Sequence, residues 1–218
     1  MGQDNAPAVL TESEDGLVLT DGVMTLRADW RAMLPRLRQD RLNKELLVRA
    51  ARRRGAPEGA LAVDATAGLG EDTVLLAAAG FRVIACERDP VIAALLRDAL
   101  RKAGSDPELQ TIAERIDVRE EDSLTVLARL EERPELVYLD PMFPERRKSG
   151  LIKKKFQLLQ QLEAPCDEEE TLLAAAMDAG PRRIVVKRPR KAPPLGGRAP
   201  SHTLEGSTIR YDCYALPE

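Results

Sequence analysis

The sequence predicts an α/β domain, a mostly parallel sheet with helices packed on both faces. Three observations carry that expectation. From about residue 56 onward, short apolar runs alternate with helix-spaced segments, the pattern of strand–crossover–strand units. The first of these runs opens into a turn holding Gly68 and Gly70 just before a helix. Successive strand ends carry an acid (Asp64, Glu87, Asp122, Asp140), at the edge where open α/β sheets gather their chemistry. The 218 residues suffice for one such domain with a full core and not for two. The expected division is an N-terminal extension over 1–55 and the α/β domain over 56–218.

The elements follow in order. Residues 1–15 are polar and read as loose. Two apolar runs within 17–26 flank Asp21-Gly22, a hairpin signal. Over 29–54 the apolar positions fall mostly at helical spacing, interrupted by Pro35, which predicts a broken helix ending at Gly55. Strand 61–64 leads through the glycine turn into helix 72–79, closed by Gly80, and strand 82–86 follows. Asp89 caps a helix with Pro90 at its first position, running to Ala103 with an apolar face of Val91, Ile92, Leu95, Leu96, Ala99 and Leu100. Strand 115–118, helix 124–130 and strand 137–139 continue the alternation. Helix 167–179 has acids in its first turn, as the helix dipole prefers. Strand 184–187 follows, and 208–216 is expected to return antiparallel at one side of the sheet.

Composition removes several classes of function. No apolar run approaches the roughly 20 residues that span a bilayer, and the N-terminus lacks the basic and apolar regions of a signal peptide. The three cysteines, Cys86, Cys166 and Cys213, form no C-x-x-C pair, so neither a disulfide framework nor a metal site is expected, and a cytoplasmic setting fits. The net charge of −3 does not by itself point to nucleic acid. The distribution of charge does. Arg146, Arg147, Lys148, Lys153, Lys154 and Lys155 lie in a stretch with no acid between Glu145 and Glu163. A second acid-free stretch, 179–204, carries Arg182, Arg183, Lys187, Arg188, Arg190, Lys191 and Arg198. Basic runs beside strand ends suit a phosphate backbone. Trp30 reads as packing, and His202 has no partner in the sequence.

The glycine turn implies a nucleoside cofactor. Gly68 and Gly70 allow a tight turn and a close approach of ligand to backbone, but Thr73 stands where a dinucleotide fingerprint needs a third glycine, which weakens an NAD reading. Asp64 before the glycines suits the methionine end of S-adenosylmethionine, Glu87 the ribose hydroxyls, and Asp122-Ser123 the adenine amine. The stretch Val137-Tyr138-Leu139-Asp140-Pro141-Met142-Phe143-Pro144 is a strand that ends in a carboxylate and a turn stiffened by two prolines. There Asp140 sits where open α/β sheets place their chemistry, and Phe143 can offer its face to a flat base.

Asp64 through Gly70, Glu87-Arg88, Val137 through Pro144, Lys148-Ser149 with Lys153-Lys154, and Val185 through Pro189 with Ala192 through Leu195 resemble the bacterial ribosomal RNA small subunit methyltransferase J family. The resemblance covers about residues 60–215 and implies a Rossmann-like, class I S-adenosylmethionine-dependent methyltransferase, doubly wound, with a small hairpin-and-helix extension. It implies methyl transfer to the N2 amine of a guanine in small-subunit ribosomal RNA, with cofactor contacts on Glu71, Asp72, Glu87, Arg88, Asp122, Ser123 and Asp140. The partner would be that RNA or the assembling 30S subunit, with no membrane and no obligate protein partner. Methylation of DNA or of an adenine amine, an NAD oxidoreductase, and a non-catalytic RNA-binding assembly factor are the competing readings.

Overall fold

The computed structural model describes residues 8–141 and 169–216. The extension begins with three antiparallel strands, β1 (Val9–Ser13), β2 (Gly16–Thr20) and β3 (Thr25–Leu26). The hairpin expected around Asp21-Gly22 joins β2 to β3: Asp21 Oδ1 accepts from Val23 N at 2.9 Å and Met24 N at 2.7 Å, an Asx turn that closes the loop. β1 corrects the expectation that residues before 16 are loose. It pairs along its whole length with β2, although its side chains stay largely exposed, so it leaves no apolar signature in the sequence.

The single broken helix is in fact three short ones: α1 (Leu34–Leu37), α2 (Gln39–Leu42) and α3 (Leu46–Ala51). Pro35 does not make the break. It occupies the first turn of α1, where a missing N–H costs nothing, and the chain leaves helical geometry at Arg38 (ψ 136°) and Glu45 (ψ 126°).

The main domain alternates as expected: β4 (Leu61–Asp64), α4 (Glu71–Ala78), β5 (Arg82–Cys86), α5 (Pro90–Gly104), α6 (Gln110–Ala113), β6 (Ile116–Arg119), α7 (Ser123–Ala128), β7 (Leu136–Leu139), α8 (Glu169–Asp178), β8 (Arg183–Pro189), β9 (His202–Glu205) and β10 (Ile209–Ala215). α6 and β9 were not foreseen, and β8 is longer than the apolar run that announced it. Asp89 caps α5 by accepting from Val91 N and Ile92 N, with Pro90 at the first position. The seven-stranded sheet has the order β6-β5-β4-β7-β8-β10-β9. β4 to β8 are mutually parallel with their neighbours, while β10 runs antiparallel to both β8 and β9, as the returning strand was expected to do. The period-2 alternation of strand side chains divides the core. Ala62, Val83, Tyr138, Val185 and Tyr211 face α3, α4 and α5 on one side, and Val63, Ile84, Val137, Leu139 and Val186 face α7 and α8 on the other. Among the described residues no helix is long and apolar enough to cross a membrane.

Candidate active site

From β4 the chain moves outward to β5 and β6, then returns to β7 and β8 on the opposite flank of β4. That reversal opens a crevice beyond the carboxyl ends of β4 and β7, the place where such sheets bind ligands. Four predicted residues stand along this edge: Asp64, Glu87, Asp122 and Asp140.

The glycine turn is braced from three sides. Gly70 adopts φ +81° as the residue before α4, and a Cβ there would lie 2.6 Å from Leu96 Cδ1 and 2.8 Å from Trp30 Cζ2, so both backbone and space demand glycine. Trp30 is buried, as expected of a packing residue, and its indole N–H donates to Leu69 O at 3.0 Å. Glu87 is buried and accepts from Gly68 N at 3.0 Å and from Asp89 N at 2.9 Å. Burial pushes its carboxyl up, and those two N–H bonds hold it back. Gly68 itself, at φ +53°, has open space where a Cβ would point.

Asp64 is turned under the turn, at 1% exposure. It accepts from Thr66 N at 3.2 Å and from the Thr73 hydroxyl at 2.6 Å, so the residue that replaces the third fingerprint glycine is the one that fixes this acid. Burial raises the Asp64 carboxyl to about 7, against the Thr73 hydrogen bond. A carboxyl raised on folding stabilises most below its ordinary value and loses that contribution as pH climbs toward its folded value. The melting temperature of Asp64→Asn relative to wild type is therefore expected to improve between about pH 4 and about pH 7 and to level off above that. A difference that stays constant over that range would mean Asp64 does not titrate there.

At the end of β7 lies a linked group of polar side chains. Asp140 N donates to the Thr66 hydroxyl at 2.6 Å, tying the turn after β7 to the turn after β4. Lys187 Nζ, on β8, donates to Asp140 Oδ2 and to Asp72 Oδ2, each at 2.8 Å. Tyr138 OH donates to the same Asp72 oxygen at 2.6 Å. Burial pushes the Asp140 carboxyl up, Lys187 pulls it down and Asp72 pushes it up, with a net rise. Burial works against the charge on Lys187, but Asp72 and Asp140 outweigh it and the ammonium is held well above its ordinary value.

A family model described as "Putative SAM-dependent methyltransferase" matches residues 3–216. A protein of Alkalilimnicola ehrlichii named ribosomal RNA small subunit methyltransferase J is 45% identical over 219 residues, covering 94% of this chain and 81% of that protein. The chain belongs to the ribosomal RNA small subunit methyltransferase J family. The protein of the same name from Chromohalobacter salexigens is 48% identical over 156 residues, 70% of this chain, and the match spans 61% of its own length. Among solved structures, a SAM-dependent methyltransferase from Neisseria gonorrhoeae superposes with a TM-score of 0.78 at 29% identity, covering 99% of this chain and 85% of that one. The rRNA methyltransferase aviRa from Streptomyces viridochromogenes shares the fold, with a TM-score of 0.53 at 19% identity over 80% of this chain and 84% of that one.

The residues at the crevice fit the S-adenosylmethionine of this methyltransferase family. Glu87 Oε2 accepts from Gly68 N and Oε1 from Asp89 N, which leaves carboxylate lone pairs open to a further donor. Asp122 caps α7 through Leu124 N at 2.8 Å, and it and Ser123 remain half-buried at the edge. Glu71 and Arg88 are exposed beside the turn, and Asp72 lies in the first turn of α4. Glu87→Ala is expected to weaken cofactor binding roughly 10- to 150-fold, the loss of about 1.5–3 kcal/mol of charged hydrogen bonding, and also to release Gly68. Calorimetric affinity equal to wild type would remove Glu87 from the site.

The basic residues expected to hold RNA divide. Lys187 belongs to the crevice instead, because the parallel register of Leu139 with Val186 sets it abreast of Asp140. Arg188 points to the other face of the sheet. Its side chain is 2% exposed, and it donates to Pro193 O at 3.0 Å and to Glu169 Oε1 at 3.2 Å, so it anchors α8 rather than a phosphate. Arg190 is exposed and shares its charge with Glu205 at 3.0 Å. Pro141 is buried. Phe143, Arg146, Arg147, Lys148, Lys153, Lys154 and Lys155 lie outside the described residues. Sequence reasoning missed Thr66, Thr73 and Tyr138. The one available signal was Tyr138, which shares a strand face with Asp140.

Proposed function

We propose that this protein transfers a methyl group from S-adenosylmethionine to the exocyclic N2 amine of a guanine in small-subunit ribosomal RNA, acting in the cytoplasm on the RNA or the assembling subunit. The observation that carries the reading is Asp140, a partly exposed carboxylate at the switch point, fixed through its own backbone N–H to the turn that would hold the cofactor. The relatives' names supply the RNA.

Bound S-adenosylmethionine supplies a methyl group activated on sulfur. The protein's work is then positioning and electrostatics. The Asp140 carboxylate and the Pro141 carbonyl accept the two amine hydrogens, which turns the nitrogen lone pair toward the methyl. As the amine nitrogen took the methyl carbon, the cofactor's sulfur would keep the electron pair of the bond it gives up. Positive charge grows on the nitrogen, and Asp140 stabilises it before the surplus proton leaves for the carboxylate or solvent. Phe143 would stack on the extruded base and the basic stretches would bind backbone phosphates.

Mass spectrometry of ribosomal RNA from cells lacking the protein tests this directly. One N2-methylguanosine should disappear from small-subunit RNA and return when the purified protein and S-adenosylmethionine are added. An unchanged RNA, or methylation of DNA or adenine instead, would overturn the assignment.

A further inference from the structure

Lys187 is a cation of the crevice that the proposed chemistry leaves without a task. Its side chain is only 25% exposed, and it sits between the carboxylates of Asp72 and Asp140 at 2.8 Å from each. Two acids within reach of one nitrogen cannot both stay charged easily without it. Asp72 has a second donor in the Tyr138 hydroxyl. Among the described residues, the Asp140 carboxylate takes a hydrogen bond from Lys187 alone.

We infer that Lys187 is a positioning residue for methyl transfer, holding the Asp140 carboxylate ionised and in one orientation toward the substrate amine. It does so from behind, on the strand beside β7, so it need not touch the substrate. The inference rests on the function proposed above.

The other groups around this cluster do not replace Lys187. Asp64 from β4 and Asp72 from α4 both oppose a second negative charge. Tyr138 from β7 and Tyr211 from β10 are neutral, their hydroxyls held well above the ordinary value first by burial and then by the nearby acids. Arg36 from α1 feels Asp72 and Glu71 but is bound to Glu45 at 2.8 Å. When Lys187 is removed, the proton that neutralises the pair should settle on Asp140, because Asp72 retains Tyr138 as donor. A protonated Asp140 accepts the amine hydrogens poorly and offers no countercharge.

The test uses Lys187→Met and Lys187→Arg in the full-length protein. In wild type and both variants, the side-chain carboxyl carbon of Asp140 is titrated by NMR with labelled aspartate, assigned with Asp140→Asn. Single-turnover methyl transfer is followed over the same pH range. Lys187→Met should move both the Asp140 titration and the acidic limb of the rate profile upward by about 1–3 pH units, the usual effect of losing a neighbouring opposite charge, and its rate deficit should shrink as pH rises. Lys187→Arg, which keeps the charge, should stay near wild type. A residue that only filled space would lower the rate equally at every pH. An unmoved Asp140 titration in a folded Lys187→Met would overturn the inference, as would a Lys187→Arg that behaves like Met. Should Lys187→Met not fold, the Arg variant and the wild-type titration decide: an Asp140 that is protonated at neutral pH in wild type also overturns it. Absence of transfer by wild type alone would fail the function reading, an outcome separate from these.

Discussion

Asp140→Ala is expected to slow methyl transfer about 10²–10³-fold, the usual result of removing one preorganised electrostatic group. The fold should survive. The bond from Asp140 to the Thr66 hydroxyl is made by the backbone N–H and persists in alanine. Lys187 keeps Asp72 as partner. The carboxylate itself is disfavoured by burial, so losing it should leave the melting temperature level or slightly raised. Asp140→Asn gives the sharper contrast, keeping shape and one acceptor while removing the charge. The rate must be measured in a single turnover at saturating S-adenosylmethionine and RNA, beside a thermal melt, because Asp140 is also expected to touch the cofactor. Transfer within a few-fold of wild type in a folded variant would remove Asp140 from the chemistry.

What the chain reveals of this site before folding is uneven for a physical reason. Strand ends are local events. An apolar run that stops at an acid can be read directly, and Asp64, Glu87, Asp122 and Asp140 all stand where that reading puts them. The caps and turns are local too, as Asp89-Pro90 and Asp21-Gly22 show. Lateral order and register are not local. Lys187 and Arg188 look alike in a basic stretch, yet strand alternation sends them to opposite faces. Only the pairing of β7 with β8 makes Lys187 the neighbour of Asp140, and only the packing of α8 gives Arg188 to Glu169. β1 was missed for a related reason: a strand held by ladder bonds, with little burial, carries no periodic apolar signal.

The N-terminal extension braces the glycine turn through Trp30, and Trp30→Ala is expected to be the most damaging change outside the crevice. The indole is 3% exposed and packs in the same core as Leu96, Leu75 and Leu76, so truncation leaves a large cavity worth about 3–5 kcal/mol. It also removes the donor to Leu69 O and the wall against which Gly70 is pressed. Two effects should therefore appear together: a steep fall in thermal stability and a weaker affinity for S-adenosylmethionine that persists at temperatures where the variant is still folded. Trp30→Phe separates them. The ring restores most of the buried surface but cannot donate to Leu69 O, so it should recover most of the stability while part of the affinity loss remains. Melting curves and cofactor titrations on the three proteins check this. If Trp30→Phe binds S-adenosylmethionine as wild type does, the indole N–H has no part in shaping the turn, and the extension contributes packing alone.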